Sequence, residues 1–312
     1  MNLVRIGTRG SKLALAQAQW VKACLEAKCP GIEVQTVIIK TSGDRFLNTP
    51  IQAIGGKGIF VKEIEEALLR REIDLAVHSM KDLPTELPSG LTIAAIPERE
   101  DSRDALVSRE ARTLSDLPRS SKVGTGSLRR RAQLLNYRPD LSVLPIRGNV
   151  DTRLKKLDRG EIDALVMAVA GLRRLGWTDR ITEYLAPEVC LSAVAQGALG
   201  IETRENDPAR GMVSFLDHPA TATEVVAERA FLQRLGGGCQ IPVGARAWVA
   251  GEKLKMMGVV GDTEGRRVFR GEIAGLASEA EELGQRLADK LLRDGADTIL
   301  ASKEGFRAHG SA

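Results

Sequence analysis

Two pairs of short segments in this chain repeat one another, and the repeats restrict the folds that it can adopt. The first pair consists of RIGTRGSKLALAQ, which begins at Arg5, and KVGTGSLRRRAQ, which begins at Lys122. Each segment has the pattern of a strand followed by Gly-Thr, Gly-Ser and a helix. RREIDLAV from Arg70 and RGEIDALV from Arg159 follow in the same order. Because internal self-similarity indicates repeated supersecondary units, we expect two similar α/β lobes.

The alternation of strand-like and helical patterns predicts mainly parallel sheets with helices on both faces. The charged segment PEREDSRD, residues 97–104, begins with proline and is interpreted as a hinge between the lobes. Ligands of open α/β sheets bind at the carboxyl ends of strands, so we expect the two Gly-Ser loops to line one cleft. In the last third, short consecutive strands and an amphipathic helix at 278–293 predict a small antiparallel α+β domain.

Composition argues against several functional classes. The 312 residues include 45 basic and 41 acidic side chains, for a net charge of +4, and aromatic residues make up only 4%. This balance and the few aromatics disfavour a nucleic-acid partner. No apolar run reaches membrane-spanning length and the first residues lack a signal-peptide core, so we expect a cytoplasmic protein without a membrane partner. The four cysteines form no CxxC pair and the three histidines are scattered, so we expect no metal site.

Three consecutive arginines, Arg129, Arg130 and Arg131, follow the second Gly-Ser loop. Glycines after a strand and a hydroxyl at a helix start are typical of anion sites, and arginine is suited to binding carboxylates and phosphates. Successive helix residues lie about 100° apart, so the three cannot share one target. We expect Arg129 and Arg130 to bind an anion and Arg131 to belong to the scaffold. The alternative is that all are solvated surface charges.

Other polar residues fall where strands end or helices begin, on the expected cleft side. Lys81 and Asp82 follow a buried strand in VHSMKDLP. Asp82 is either half of a local ion pair or a carboxylate that stabilises a cation formed during a reaction. The remaining candidates of this kind are Arg9, Ser11, Ser127, Arg147, Arg153, Arg173 and Arg174.

Two more candidates lie in glycine-rich loops. Cys239 follows three glycines, so its thiolate could attack an electrophile in the cleft, although a free cysteine is more often an inert apolar residue. The loop 43–60 contains Gly-Gly-Lys-Gly without the spacing of a P-loop. We interpret this loop as a mobile flap whose Lys57 and Phe60 reach the cleft.

A set of motifs in this order resembles the porphobilinogen deaminase family, whose members are also called hydroxymethylbilane synthases. The motifs run from residue 8 to residue 242, and they are TRGSKLALAQ, GGKGIFVKEIE, AVHSMKDLP, EREDSRDA, SLRRRAQL, IRGNVDTRL, AVAGLRRLG, AVAQGALGIE and GGGCQIP. The chain departs from the family at Gly126, where a serine is often found.

The resemblance implies a transferase of tetrapyrrole and heme biosynthesis. Such an enzyme joins four porphobilinogens head to tail with loss of ammonia and then releases the linear tetrapyrrole by hydrolysis. Its dipyrromethane cofactor would be held by a thioether to Cys239, and Asp82 would be the catalytic acid and cation stabiliser. Each pyrrole carries two carboxylates, which accounts for the many arginines.

The resemblance also assigns residues to the ligands. Cofactor-binding residues would be Cys239, Lys81, Asp82, Thr125, Ser127, Arg129, Arg130, Arg147 and Gly148. Substrate-binding residues would be Arg9, Ser11, Lys57, Phe60, Arg147, Arg153, Arg174 and Gln196.

The resemblance implies a monomer. Its fold would have two binding-protein-like α/β lobes joined by hinges, and a third α+β domain with a three-stranded antiparallel sheet. The first lobe would comprise residues 1–97 and 198–216, the second 103–192, and the third domain 220–312. A bilobal binding protein for a carboxylated solute is the alternative function. It would keep the lobes and arginines but would not need Asp82, Cys239 or a third domain.

Overall fold

The strands of the described residues form three sheets in this computed structural model, which describes residues 3–45, 61–236 and 242–301. Two of the sheets have five strands and the third has three. Within the same ranges, no helix combines the length and apolarity needed to cross a membrane.

The first lobe is built on a five-stranded sheet with the order β2-β1-β3-β10-β4. β1, β2 and β3 are parallel, whereas β10 runs antiparallel to both of its neighbours. The elements of this lobe are β1 (Leu3–Thr8), α1 (Lys12–Lys28), β2 (Glu33–Ile38), α2 (Ser42–Arg45), α3 (Lys62–Leu69), β3 (Leu75–Ser79), β4 (Leu91–Ala95), β10 (Leu199–Arg204) and α7 (Pro208–Val213).

The second lobe is built on a sheet with the order β7-β6-β8-β5-β9, in which β5 alone runs against its neighbours. Its elements are β5 (Asp104–Ser108), β6 (Lys122–Gly124), α4 (Leu128–Tyr137), β7 (Ser142–Leu144), α5 (Val150–Asp158), β8 (Ala164–Ala168), α6 (Val169–Arg174) and β9 (Glu183–Tyr184).

The two sheets have the same arrangement, and the prediction of two similar α/β lobes is confirmed. The repeated Gly-Ser loops follow β1 and β6, which occupy the second position of their sheets, and the repeated EID segments lead into β3 and β8, the central strands. The reversed strand of each sheet is the first one formed after the chain crosses into that lobe. The first crossing lies between β4 and β5, and the second lies between β9 and β10.

The third domain contains an antiparallel sheet, β11-β12-β13, with two helices packed on it, as predicted. Phe231, Leu283 and Leu287 are fully buried in the core of this domain. Its elements are α8 (Pro219–Arg234), β11 (Val243–Ala250), β12 (Lys253–Gly261), β13 (Val268–Leu276) and α9 (Ala280–Leu291).

Helix α8 has a proline at its first position and a histidine as its cap. The helix begins at Pro219, and the ring of His218 caps it by accepting a hydrogen bond from the backbone N–H of Thr221. Proline suits the first position of a helix because its missing N–H would have no helical partner there.

Three titratable groups lie together inside the first lobe. The His78 ring is 2.9 Å from the carboxylate of Glu202, and both side chains are buried. Glu65 on α3 is only 7% exposed, and its Oε1 has no hydrogen-bond partner among the described residues. Burial raises the pKa of Glu65 to about 7; Glu202 adds to this rise and His78 opposes it.

This raised pKa predicts that stability falls with pH. Between about pH 4.5 and 7 the unfolded state has released the Glu65 proton while the folded state retains it, so the free energy of unfolding decreases over that range. We expect Glu65→Gln to raise Tm at pH 8 by about 2–4 °C and to change Tm less at pH 4.5.

Thermal unfolding followed by circular dichroism at both pH values tests this expectation. Glu66→Gln is the matched control, because Glu66 lies on the same helix with an exposed side chain. A Glu65→Gln variant with the same pH dependence of Tm as the unchanged chain would contradict the assignment.

Candidate active site

A cleft of about 330 Å³ lies between the two lobes. Both lobes contribute to its lining: α1 and the end of β3 from the first lobe, and α5, α6, the end of β8 and the segment after β7 from the second. The cleft therefore lies at the carboxyl ends of parallel strands, where open α/β sheets bind ligands.

The two Gly-Ser loops have the same local structure. Ser11 precedes α1 and accepts a hydrogen bond from the N–H of Ala14, and Ser127 precedes α4 and accepts one from the N–H of Arg130. In both loops the serine satisfies an otherwise unpaired helix donor and fixes the direction in which the helix leaves the strand. Ser11 lines the cleft, whereas Ser127 does not.

Cationic side chains outnumber carboxylates on the cleft lining. The carboxylates among the described lining residues are Asp82 and Asp151, and Asp151 lies 3.9 Å from the ammonium of Lys12. The cationic residues of the lining are Arg9, Lys12, Lys81, Arg130, Arg147, Arg153 and Arg174.

Burial and mutual repulsion lower the pKa values of several of these cations. Burial lowers the pKa of Lys81 to about 8. Burial also lowers the pKa of Arg153 to about 10, and repulsion from Arg130 and Arg147 contributes to this shift. Burial lowers the pKa of Arg174 to about 10 as well. Arg153 and Arg174 donate to the carbonyls of Gly148 and Gly197 rather than to carboxylates. This excess of positive charge favours an anionic ligand.

Asp82 is the exposed carboxylate at the end of β3. It closes a 3₁₀ turn, Met80–Asp82, which is anchored by the buried side chain of Met80. The turn presents Asp82 to the cleft beside Lys81. A carboxylate in this position can stabilise a cation that develops on a bound molecule.

Arg129 and Arg130 of α4 share the carboxylate of Asp104, whereas Arg131 has other partners. Arg130 lines the cleft, but its two terminal nitrogens donate to Asp104 at 2.7 Å and to the Val166 carbonyl at 3.0 Å. Its Nε is buried and has no partner within the described ranges. Arg131 donates to the carbonyl of Val143 at 2.6 Å, as expected of a scaffold residue.

Arg129 does not line the cleft. Its guanidinium is buried behind Arg130, 2.7 Å from the second oxygen of Asp104, and it also donates to the Leu191 carbonyl and to the sulfur of Cys190. The structure thus gives Arg129 a set of protein partners, and an interaction with a ligand in the cleft remains a prediction.

Two other predicted residues, Gln196 and Thr125, also lie behind the lining. Gln196 is buried, donates to Asp104 at 2.8 Å and accepts from the Lys81 ammonium at 3.4 Å. The Thr125 hydroxyl accepts from the N–H of Ser127 within the turn. Arg173, by contrast, is exposed and paired with Glu100 on the molecular surface.

Gly126 allows its loop to approach the end of β7. A Cβ atom at this position would lie 2.7 Å from the carbonyl oxygen of Ile146, too close for an ordinary contact. The family's serine would therefore require a shift of this loop. Lys57, Phe60 and Cys239 lie outside the described residues, so the predictions for these three remain untested.

Sequence reasoning missed several residues near the cleft, including Lys12 and Asp151. Gln17 lines it and donates to the Ser79 hydroxyl at 3.0 Å. Asp104 was included only in the charged hinge segment, yet it is buried and paired with two guanidiniums. The motif EREDSRDA contains Asp104, but its sequence alone does not distinguish the buried carboxylate from its exposed neighbours.

Family models for porphobilinogen deaminase match most of the chain. The "dipyromethane cofactor binding domain" model matches residues 4–210, and the C-terminal domain model matches residues 222–293. The chain is 52% identical to porphobilinogen deaminase from Geotalea uraniireducens over 96% of this chain and 95% of that protein. It is 54% identical to the enzyme from Pelobacter propionicus over 95% and 96%.

Among solved structures, the periplasmic aliphatic sulphonate binding protein SsuA from Escherichia coli matches with a TM-score of 0.40 and 15% identity, over 75% of this chain and 70% of that chain. The family models and the curated relatives, which span nearly the whole chain, confirm the resemblance seen in the motifs. This chain belongs to the porphobilinogen deaminase family.

Proposed function

We propose that this chain is a transferase that condenses four porphobilinogens head to tail, releasing ammonia at each addition, and then releases the linear tetrapyrrole hydroxymethylbilane by hydrolysis. The observation that carries the proposal is a two-lobed cleft in which the exposed Asp82 lies among many cationic side chains. A polycarboxylated substrate needs those cations, and a reaction through a cationic intermediate needs the carboxylate.

The cofactor of the family is dipyrromethane, which has two pyrroles and four carboxylates. The donor set of the cleft fits this group: Lys81, Arg147 and Arg153 line it, and the buried Nε of Arg130 has no partner in the described part of the chain. When bound, the cofactor supplies the pyrrole end to which the substrate is joined. Lys81, Arg130, Arg147 and the backbone at Gly148 would hold its carboxylates, and the same cations would also face the carboxylates of each porphobilinogen that is added.

Cys239 is proposed to anchor the cofactor through a thioether. Leu235 and Val243, which flank the loop that contains Cys239, belong to the same hydrophobic cluster as Met80 and Leu83, which flank Lys81 and Asp82. The residues on either side of the segment that contains Cys239 therefore belong to the same hydrophobic core as the residues on either side of Lys81 and Asp82. This packing supports an attachment point close to Asp82.

Asp82 and the arginines would have separate roles in the reaction. Arg9, Arg153 and Arg174 bind the acetate and propionate groups of porphobilinogen and orient its aminomethyl carbon. The aminomethyl nitrogen is protonated when the C–N bond breaks with its electron pair going to nitrogen, so neutral ammonia leaves and a cation remains on the pyrrole. The carboxylate of Asp82 lowers this barrier by stabilising that cation.

We also propose that the enzyme acts as a monomer, since two lobes of a single chain supply the described lining of the cleft. Its proposed location is the cytoplasm. A bilobal binding protein would use the same arginines, and it would bind porphobilinogen without releasing ammonia. Ammonia release therefore separates the two functions.

Replacing Asp82 tests the proposed chemistry. We expect Asp82→Asn to lower kcat by at least about 10²-fold, because the amide cannot stabilise the cation, while the cofactor stays attached. Ammonia release and porphobilinogen consumption measure kcat, and the intact mass reports the attachment. Asp151→Asn is the control, because Asp151 is the other cleft carboxylate, and its kcat should fall by less than about tenfold. Full activity of Asp82→Asn would remove the proposed role.

The pKa of Lys81 predicts a pH dependence of substrate binding. Its ammonium is cationic below about pH 8 and neutral above it, so its attraction for carboxylates is lost as the pH rises through 8. We expect KM for porphobilinogen to rise about tenfold from about pH 7 to about pH 9. Lys81→Arg, which stays charged over this range, should show a smaller rise in KM when measured by steady-state kinetics. If the rise in KM is unchanged in Lys81→Arg, a group other than Lys81 causes it.

A further inference from the structure

Asp104 is a buried carboxylate at the first position of β5, where the chain enters the second lobe. Arg129 and Arg130 each approach one of its oxygens at 2.7 Å. The thiol of Cys190 donates to it at 3.4 Å, and burial raises the pKa of that thiol to about 12, so the proton stays on the sulfur. The carboxylate thus accepts from several buried donors.

These donors keep Asp104 ionised. Burial alone would raise its pKa, but the charges of Arg129 and Arg130 outweigh burial and hold the pKa well below its usual range. A buried, ionised carboxylate is costly unless it is fully paired, so the positions of its partners are tightly constrained. Arg130 is the partner that also lines the cleft.

A second path leads from Asp104 to the cleft through Gln196. The side-chain NH₂ of Gln196 donates to Asp104 at 2.8 Å and to the carbonyl of Ser102 at 2.8 Å. Because a carboxylate only accepts, this contact determines which way the amide points. The amide oxygen is thereby directed at the ammonium of Lys81, 3.4 Å away.

We propose that Asp104 is a positioning residue for the reaction: its carboxylate, acting through Arg130 and through Gln196, sets where Arg130 and Lys81 present their charges to the carboxylates of the substrate. This inference rests on the proposed function. Asp104 connects the two lobes here, since Lys81 follows β3 of the first lobe and Arg130 belongs to α4 of the second.

The first lobe offers a matched control. Asp74 is also buried and lies between two guanidiniums, those of Arg5 at 2.9 Å and Arg204 at 3.6 Å. None of these three residues lines the cleft. Asp74→Asn therefore disturbs a similar ion-pair cluster that has no connection to the proposed site.

The experiment compares the unchanged holoenzyme with Asp104→Asn, Asp74→Asn and Gln196→Met. For each, KM and kcat for porphobilinogen are measured across pH, with Tm from thermal unfolding and cofactor content from the intact mass. We expect Asp104→Asn to lower kcat/KM by about 10- to 100-fold, because Arg130 loses the carboxylate that positions it. Asp74→Asn should lower Tm and leave KM and kcat within about twofold of the unchanged chain.

The pH profile separates positioning from mere structural support. The charged groups that act on Lys81 are Asp82, Arg130, Asp104 and Arg129. Loss of the Asp104 charge, or of the Gln196 amide oxygen, removes an interaction that favours the cationic form of Lys81. Both variants should therefore shift the alkaline rise in KM to lower pH, and Asp74→Asn should not.

Gln196→Met leaves Arg129 and Arg130 paired with Asp104. This variant therefore tests the positioning role of Asp104 even if Asp104→Asn does not fold. A rise in KM of about tenfold with the shifted pH profile supports the proposal. Unchanged KM, kcat and pH profile in Gln196→Met, or in a folded Asp104→Asn variant, would overturn it. If the unchanged chain itself releases no ammonia from porphobilinogen, the proposed function fails, and this inference fails with it.

Discussion

Both crossings between the lobes meet at one buried carboxylate. Asp104 ends the first crossing, and Gln196, which donates to it at 2.8 Å, lies in the second. The second crossing is also fixed from the third domain, because Glu228 on α8 accepts from the N–H of Ala195 and pairs with Arg99 of the first crossing. Such buried charges are tolerated only when paired, so the crossings hold one another in place. The cleft between the lobes depends on this arrangement.

The cleft itself combines two opposing requirements. Its cations must be exposed enough to bind carboxylates, yet burial depresses the pKa values of Arg153 and Arg174, and repulsion from Arg130 and Arg147 lowers the pKa of Arg153 further. Several of these groups donate to backbone carbonyls, which orient them without neutralising their charge. Bound carboxylates would relieve the repulsion, and this gives the cleft its preference for a ligand with many negative charges.

Local patterns predicted the local structure well. The repeated Gly-Ser loops, the caps by Ser11 and Ser127 and the strands of the third domain follow from nearest neighbours in sequence. Periodicity did not predict the return of β10 to the first sheet. The pairing of β10 with β3 joins residues more than 100 positions apart, such as Gly200 and His78. Only the family resemblance indicated this pairing. Helix geometry separated the arginines of α4, but it could not tell that Arg129 faces Asp104 rather than the cleft.

The central claim is that this cationic cleft serves a covalently attached pyrrole cofactor in a porphobilinogen-condensing enzyme. The most direct test is the intact mass of the purified chain beside a Cys239→Ser variant, before and after incubation with porphobilinogen. We expect an added mass equal to two linked pyrroles on the unchanged chain and none on Cys239→Ser. A folded, unchanged chain that gains no mass even after incubation with porphobilinogen would contradict it and would favour a binding protein.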